Sequence, residues 1–262
     1  MFALVTGASS GMGEVFAHEL AKAGYDLLIV SNREADNCRV AEQIASRYGV
    51  EAIPIYSDLT ADDAAERLFS EVQSRGFEVE VLISNAGMLL FSQMRRTKVE
   101  ALDRIIALHC TTPTKLCRLF AEQMAERGCG YILLVSSITA WTPFPTISHY
   151  ASTKAYLKSL GEALWYEYRD RGVGVTTLMP SAVDTPLYNL SEKMRRRLLF
   201  WGVMMSAESV VKKALRAMFL RRARCIPGLL TKVEALLCAI MPRWALLPIL
   251  KIPAIKRILE KV

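Results

Sequence analysis

The stretch Phe2-Ala-Leu-Val-Thr-Gly-Ala-Ser-Ser-Gly-Met-Gly13 determines which fold this chain adopts. A short apolar run leads directly into a glycine-rich turn, and an amphipathic helix then extends to about Ala23. Gly24 ends that helix, and Tyr25 to Val30 reads as a buried strand. In such a βαβ unit, the glycines allow a tight turn and let a pyrophosphate approach the helix N-terminus. The stretch therefore predicts a nucleotide site.

Strand and helix patterns continue to alternate along the chain. The later predicted strands are Ala52–Tyr56, Val79–Ile83, Tyr131–Val135 and Val173–Met179. The helices predicted between them are Glu34–Tyr48, Ala61–Arg75, Val99–Arg127 with a kink near Pro113, and His149–Arg171. Six strands alternating with helices predict an α/β fold, a Rossmann-like doubly wound parallel sheet with helices on both faces. Ligands of such sheets bind at the carboxyl ends of the strands.

A tyrosine and a lysine, Tyr150 and Lys154, lie four residues apart and share one face of a predicted helix. A free tyrosine, with a pKa of about 10, is a poor acid or base at neutral pH. A neighbouring ammonium favours the phenolate and lowers the tyrosine pKa toward the working range. Ser137 follows a predicted strand, so its hydroxyl can bind a substrate carbonyl there. The three residues together predict acid–base chemistry on a carbonyl group.

Composition excludes several classes of protein. The 262 residues suit one domain, and the six cysteines form no CxxC and no zinc-ligand spacing, so we expect no metal and a reducing compartment. No secretory signal precedes the first strand-like run, which predicts a cytoplasmic location.

The tail of the chain is strongly basic: from Ser191 onward it contains 16 Lys and Arg but only 4 Asp and Glu. This basic tail predicts an anionic partner, which is a membrane surface, a nucleic acid or an anionic substrate.

Residues 1 to 190 resemble the short-chain dehydrogenase/reductase family. The motifs that carry the resemblance are Thr6-Gly-x-x-x-Gly11-x-Gly13, Asn85-Ala-Gly87, Ser137, Tyr150-x-x-x-Lys154, and Pro180 with Thr185. The family implies a Rossmann-like fold and a nicotinamide cofactor. It also implies that Tyr150 is the general acid/base, that Ser137 orients the substrate oxygen, and that Lys154 binds the nicotinamide ribose and lowers the Tyr150 pKa.

The resemblance further implies a set of cofactor-binding residues. Asp58 and Leu59 are expected at the adenine, and Thr185 at the carboxamide. The full set is Gly7, Ser9, Ser10, Gly11, Met12, Gly13, Asn32, Arg33, Asp58, Leu59, Asn85, Ala86, Gly87, Tyr150, Lys154, Pro180, Val183 and Thr185.

Two positions depart from the family pattern. His109 lies where the family has a catalytic asparagine that holds a water of the proton relay. A histidine can bind the same water and titrates near neutral pH; the alternative is a packed core residue with a rearranged relay. After the second strand, Asn32-Arg33 replaces the acid of NAD-selective members. Arg33, with Ser9 and Ser10, can reach a 2′-phosphate, so NADP is favoured and NAD is the alternative; an ordinary surface charge would also explain Arg33.

The tail, residues 191–262, is predicted to continue the same globular unit as the dinucleotide-binding and catalytic region, residues 1–190. Leu187 to Met205 is predicted as a helical substrate lid, and ordinary packing on the main domain is the alternative. Ser206-Ala-Glu-Ser predicts a capped helix start, followed by a helix over Val210–Phe219.

Residues 226–262 are apolar but interrupted by Lys232, Glu234 and prolines, which suits two short helices, Leu236–Met241 and Trp244–Leu250, lying on a membrane surface. A dimer interface or core packing is the alternative. The tail resembles the branch of 17-beta-hydroxysteroid dehydrogenases and very-long-chain 3-oxoacyl-CoA reductases, which are membrane-associated and use NADPH.

The resulting hypothesis is a ketone reductase, or the reverse alcohol dehydrogenase, for an apolar lipid-like, 3-oxoacyl or steroid-type substrate. It would work in the cytoplasm or peripherally on the cytoplasmic face of a membrane, as a homodimer or homotetramer by family analogy. One alternative is a soluble 3-oxoacyl-carrier reductase whose Arg195–Arg197 cluster docks an acidic carrier. Another is a cofactor-binding scaffold that has lost catalysis. Nucleic-acid binding is not expected, because the basic residues alternate with aliphatic ones rather than with a stacking platform.

Overall fold

A parallel β-sheet forms the centre of the protein in this computed structural model. The structure describes residues 1–142, 147–185, 192–200, 204–240 and position 248. The strands described are β1 (Phe2–Thr6), β2 (Asp26–Ser31), β3 (Ala52–Tyr56), β4 (Val79–Ser84), β5 (Gly130–Val135), β6 (Val173–Leu178), β7 (Ala182–Asp184), β8 (Met204–Ser206) and β9 (Arg224–Cys225).

Helices cover both faces of this sheet. They are α1 (Gly11–Lys22), α2 (Glu34–Tyr48), α3 (Ala64–Ser74), α4 (Val99–Ile106), α5 (Thr112–Glu126), α6 (Ser148–Tyr168), α7 (Glu192–Phe200), α8 (Ala207–Phe219) and α9 (Leu229–Ile240). Short 3₁₀ turns occur at Met94–Arg96, Ile138–Trp141 and Arg169–Arg171. Successive side chains of a strand point to opposite faces, so each apolar strand supplies two cores. Val5 packs with α1, α2 and α8 on one face, whereas Leu4 packs with α3 and α5 on the other.

The strand order β3-β2-β1-β4-β5-β6-β9, with every pair parallel, confirms the predicted fold class. The direction of winding reverses between β1 and β4, and ligands of open α/β sheets bind in the crevice at such a point. The loops after these two strands are the glycine-rich turn and the Asn85–Gly87 segment. Both therefore border the crevice.

The prediction of six strands was incomplete. A seventh strand, β9, pairs its two residues with Thr177 and Leu178, and β7 and β8 form a separate parallel pair. The predicted lid helix over Leu187–Met205 is wrong at its end, because Met204 and Met205 belong to β8. Residues 186–191 and 201–203 lie outside the described part. Strands of two or three residues are too short to show a periodic apolar pattern.

The region predicted as one long helix is divided in two. A π-helical turn, Ala107–Thr111, joins α4 to α5 just before Pro113. Such turns insert an extra residue and locally widen the helix, often at functional sites. The predicted bend therefore exists, and it lies at the turn that contains His109.

The described part of the tail consists of the helices α7, α8 and α9 and the short strands β8 and β9. The Ser206 hydroxyl accepts from the Ser209 N–H at 3.2 Å, which confirms the predicted cap of α8. Lys232 and Glu234 lie inside α9 and do not interrupt it. Apart from position 248, the predicted helix Trp244–Leu250 lies outside the described residues. Among the described residues, no helix is both long and apolar enough to cross a bilayer.

Candidate active site

The glycine-rich turn between β1 and α1 brings two stretches of backbone very close together. Gly7 and Gly11 have φ angles of +65° and +58°, a region that glycine tolerates and L-residues with a side chain rarely adopt. A Cβ at Gly7 would lie 2.9 Å from the Cα of Ala86, and a Cβ at Gly13 would collide with the Gly7 carbonyl. The turn therefore requires glycine.

Thr6 and Asn85 hold this turn against the loop after β4. The Thr6 hydroxyl donates to the Ile83 carbonyl at 3.2 Å and accepts from the N–H groups of Asn85 (2.9 Å) and Ala86 (3.0 Å). The Asn85 amide donates to the Thr6 carbonyl at 2.9 Å. The Asn85 side chain thus joins the two loops that border the cleft.

The first turn of α1 suits an anion. Ser10 is its N-cap residue, and the Ser10 hydroxyl makes no capping bond to the helix. The first N–H groups of a helix have no carbonyl partner within that helix, and their dipoles attract phosphate. Together with the glycine cradle, this turn fits the pyrophosphate of a dinucleotide.

Arg33 lies beside that turn, at the mouth of the cleft. Its Nη2 donates to Ser10 Oγ at 2.6 Å, and its Nη1 lies 3.3 Å from a carboxylate oxygen of Asp36. More than half of the Arg33 side chain is exposed. A guanidinium held between α1 and α2 is in position to meet a phosphate that enters from solvent.

Arg39 also contacts the glycine-rich turn, although it is not among the residues that the sequence predicted for this site. Its Nη1 lies 3.0 Å from Glu14, its Nη2 donates to the Ser9 carbonyl at 3.2 Å, and its Nε lies 3.7 Å from Asp36. Arg39 therefore braces the glycine-rich turn from α2. Only the packing of α2 against α1 brings it there, so no local motif could have revealed it.

Asp58 and Leu59 lie at the predicted adenine end. The Asp58 carboxylate accepts from the Thr60 N–H at 3.0 Å and from the Thr60 hydroxyl at 2.8 Å, and these bonds hold the Asp58 pKa below its ordinary value of 3.8. Leu59 is buried. The Asp58 carboxylate is thereby kept ionised, and its hydrogen bonds are made within its own loop.

Ser137 is buried where β5 ends. It is the N-cap of the 3₁₀ turn Ile138–Trp141, and its hydroxyl oxygen accepts from the Thr139 N–H at 3.2 Å. The Ile138 N–H donates to the Pro180 carbonyl at 2.9 Å, which ties this turn to the end of β6. A hydroxyl that accepts from the backbone keeps its own proton to donate. Ser137 can therefore donate to a carbonyl oxygen.

Lys154 is 4% exposed, on the face of α6 that it shares with Tyr150. Its Nζ donates to the Val135 carbonyl at 2.8 Å and lies 5.6 Å from the centroid of the Tyr150 ring. Burial lowers the Lys154 pKa from 10.5 to about 8. The Ser136 hydroxyl donates to the Lys154 carbonyl at 2.6 Å and fastens this turn of α6 to the sheet.

His109 is fully buried in the π-helical turn. Its Nε2 accepts from the Met88 N–H at 3.0 Å, and its Nδ1 lies 2.9 Å from Thr153 Oγ1. Burial, with a smaller effect of the Lys154 charge, holds the His109 pKa well below 6.5. The expectation that His109 titrates near neutral pH is therefore wrong, because the protein interior disfavours the imidazolium.

One cleft of about 440 Å³ collects nearly all of the predicted residues. Gly13 and His109 do not line it; each lies behind the lining, Gly13 against Gly7 and His109 against Met88. The lining residues that were not predicted are Ser31, Ser57, Thr60, Met88, Arg104, Leu108, Val135, Ser136 and Ser181. Seven of these nine lie within two residues of a predicted residue at a strand end. Arg104 and Leu108 come from the α4 side, where no strand end indicated them.

Residues 1–196 match the family model described as short chain dehydrogenase. The chain belongs to the short-chain dehydrogenase family. It is 29% identical to the very-long-chain 3-oxoacyl-CoA reductase of Mus musculus over 247 residues, covering 93% of this chain and 76% of that protein. It is 30% identical to the 17-beta-hydroxysteroid dehydrogenase type 3 of Rattus norvegicus, covering 86% and 71% of the two chains. The predicted family and branch are confirmed, and this protein is an oxidoreductase.

A solved relative, a short-chain dehydrogenase from Sphingobium yanoikuyae in complex with NADPH, superposes with a TM-score of 0.79 at 26% identity. The match covers 94% of this chain and 95% of that one. A 7beta-hydroxysteroid dehydrogenase gives a TM-score of 0.85 at 24% identity over 92% of each chain, which shows the shared fold. The prediction of a nicotinamide dinucleotide cofactor is likewise confirmed for this family.

Proposed function

We propose that this protein is an NADPH-dependent reductase that converts a ketone on an apolar, lipid-like substrate to a secondary alcohol, or catalyses the reverse reaction. The observation that carries the proposal is that Ser137, Tyr150 and Lys154 line the same cleft as the glycine-rich turn. A proton donor and a carbonyl-binding hydroxyl thus lie beside a dinucleotide site.

Each of the three side chains has a distinct role in this proposal. When bound, the nicotinamide cofactor supplies or accepts the hydride. Ser137 donates a hydrogen bond to the carbonyl oxygen, which orients the substrate and stabilises the charge that develops on that oxygen. Tyr150 then gives its phenolic proton to the same oxygen. Lys154 stabilises the negative charge that Tyr150 acquires, because its buried ammonium acts through a medium of low dielectric.

NADPH is proposed over NADH because of the charges around α2. Asn32 occupies the place where NAD-selective relatives have an acid, and Arg33 approaches the same corner from beside Ser10. A ribose 2′-phosphate would gain a charge-assisted bond from Arg33 and meet no carboxylate at position 32. The NADPH found in the Sphingobium relative supports this choice.

The substrate class is proposed from the relatives. One is a very-long-chain 3-oxoacyl-CoA reductase and another a 17-beta-hydroxysteroid dehydrogenase, so a bulky apolar 3-oxoacyl or steroid-type ketone is favoured. Docking of an acidic acyl carrier on Arg195–Arg197 gains less support. Arg195 lies 2.7 Å from Asp184, and Arg196 pairs with Glu192. Two of the three arginines therefore already form ion pairs with carboxylates of the protein itself.

The proposal is tested with a panel of acyl thioesters, steroid ketones and keto-sphingoid bases, each assayed with NADPH and NADH in parallel. We expect one apolar ketone class to be reduced and NADPH to be preferred. Tyr150→Phe should abolish turnover and leave NADPH binding intact, as titrated by fluorescence. Near-complete activity of this variant would contradict the proposed role of Tyr150. No reduction of any ketone by the wild type would contradict the proposal and favour the alternative of a cofactor-binding scaffold that has lost catalysis.

A peripheral membrane contact through residues 226–262 is also proposed, with a location on the cytoplasmic face. Helix α9 exposes a stripe of aliphatic side chains, of which Leu229 is 79% and Ile240 67% exposed; the others are Leu230, Val233, Leu236 and Leu237. Such a stripe, next to a basic sequence, suits an anionic lipid surface. Assembly as a homodimer or homotetramer stays a prediction.

Flotation with vesicles tests this contact. The wild type should float with vesicles that contain anionic lipid and float less with neutral ones, and Leu236→Glu should reduce flotation without altering ketone reduction in detergent. Equal behaviour of the two proteins on both vesicle types would contradict a role for α9.

A further inference from the structure

A continuous chain of hydrogen bonds runs from the loop after β4 to the backbone of the proposed acid. The Met88 N–H donates to His109 Nε2 at 3.0 Å, so that nitrogen is an acceptor and carries no proton. A neutral imidazole then has its proton on Nδ1, which donates to Thr153 Oγ1 at 2.9 Å. The Thr153 hydroxyl in turn donates to the Tyr150 carbonyl at 2.9 Å. Every link has one donor and one acceptor.

The surroundings of His109 are shaped for this ring. A Cβ at Gly87 would lie 3.0 Å from His109 Nε2, so only glycine leaves the ring its place without a shift. The ring meets the Tyr150 ring edge-on, with centroids 5.7 Å apart and planes at 73°. The π-helical turn places His109 between the β4 loop and α6.

We propose that His109 and Thr153 form a positioning pair that fixes the first turn of α6, and with it Tyr150, and that His109 takes no part in proton transfer. The inference rests on the proposed function only for its kinetic consequences. Both ring nitrogens are already engaged within the protein, so neither is left to hold a relay water. In this chain a rigid link replaces the hydrated asparagine that the family pattern predicts at position 109.

The hydrogen-bond state of His109 can be measured without any substrate. The protein has three histidines, His18, His109 and His149, so ¹⁵N-edited NMR with single His→Gln variants assigns each ring. In the cofactor-free protein, we expect His109 to show the Nδ1–H tautomer and no titration from pH 5 to 8. An Nε2–H tautomer, or protonation within that range, overturns the proposal.

Kinetics then test the link from Thr153 to Tyr150. Thr153→Val removes the hydroxyl, so His109 Nδ1–H loses its acceptor and the Tyr150 carbonyl loses its side-chain donor while it stays in the backbone ladder of α6. We expect kcat to fall on the order of 10- to 100-fold, the scale of a small misplacement of a reacting group, with the ketone KM and the NADPH Kd unchanged. Thr153→Ser keeps the hydroxyl and should restore most of kcat.

Two further variants separate positioning from general stability. Thr176→Val removes another buried hydroxyl, which donates to the Arg222 carbonyl at 2.6 Å and does not line the cleft, and should leave kcat unchanged. His109→Asn has a shorter side chain, which can donate to Thr153 but does not also reach the Met88 N–H, so kcat should fall. Combined with Thr153→Val it should cost little more than either change alone.

Full activity of His109→Asn, a wild-type kcat for Thr153→Val, or a Thr153→Ser variant as impaired as Thr153→Val would each overturn the positioning pair. If the wild type reduces no ketone, the proposed function fails, whereas the tautomer of His109 still decides whether the chain of hydrogen bonds exists.

Discussion

Replacing Lys154 with methionine should change how the stability of the cofactor-free protein depends on pH. Burial lowers the Lys154 pKa from 10.5 to about 8. A pKa shift of one unit corresponds to about 1.4 kcal/mol, so at pH 7 the buried ammonium lowers the free energy of unfolding by about 3 kcal/mol relative to pH values above 10.5. Methionine has a similar length and carries no charge, so the variant lacks this pH-dependent cost.

The sign follows from proton binding. Between pH 8 and 10.5 the unfolded chain keeps the Lys154 proton and the folded protein loses it, so a rise in pH favours the folded state. The free energy of unfolding of the wild type, relative to Lys154→Met, is therefore lowest below pH 8. It should increase by about 2 kcal/mol between pH 7 and pH 9.5.

Urea unfolding of both proteins at pH 7 and pH 9.5 measures this difference directly. The donor lost by the Val135 carbonyl in the variant contributes an offset that does not depend on pH, and effects of other titrating groups largely cancel between the two proteins. Lys212→Met on α8, where 60% of the lysine side chain is exposed, measures the cost of the same change at the surface. A difference between wild type and Lys154→Met that stays constant from pH 7 to 9.5 would refute the assignment of a desolvated ammonium.

Three other changes probe the cofactor end of the cleft. Arg33→Met should lower the affinity for NADPH roughly tenfold in a fluorescence titration and leave the affinity for NADH unchanged, because only NADPH has the 2′-phosphate. An equal loss of affinity for both cofactors would show that Arg33 does not select between them. Gly13→Ala places a Cβ against the Gly7 carbonyl, so cofactor affinity should fall at least about tenfold while the circular dichroism spectrum stays native. An unchanged affinity would show that the backbone of the turn can shift to accommodate the methyl group. Thr6→Val leaves the N–H groups of Asn85 and Ala86 without their acceptor and should lower the free energy of unfolding by about 2 to 4 kcal/mol; a loss below about 1 kcal/mol would mean that the hydroxyl does not hold the loop.

Much of the fold could be predicted because its signals are local. The helix Glu34–Tyr48 and the strand Ala52–Tyr56 agree with the structure to the residue. Each has a regular apolar pattern that reflects burial on one or both faces of a sheet. The strand β9 could not be found in this way, since two residues have no period and depend on pairing with β6.

The cleft was also largely predictable, since the carboxyl ends of parallel strands meet at one edge of a sheet. That rule alone gathers Asp58, Asn85, Ser137 and Pro180 around one cavity. Arg39, Arg104 and Leu108 reach the same region from helices, and only the packing of those helices could place them.

Backbone sterics and hydrophobic periodicity act between near neighbours in the chain. They are enough to specify the parallel sheet, the glycine-rich turn and the shared helix face of Tyr150 and Lys154. The protonation states of the ionisable groups, by contrast, follow from how distant parts of the chain pack together. The Lys154 pKa and the neutral state of His109 depend on burial and on charges and donors that lie far away in the chain. Desolvation is a property of the packed interior, so the same histidine that suggested a titrating relay becomes a neutral link between Met88 and Thr153.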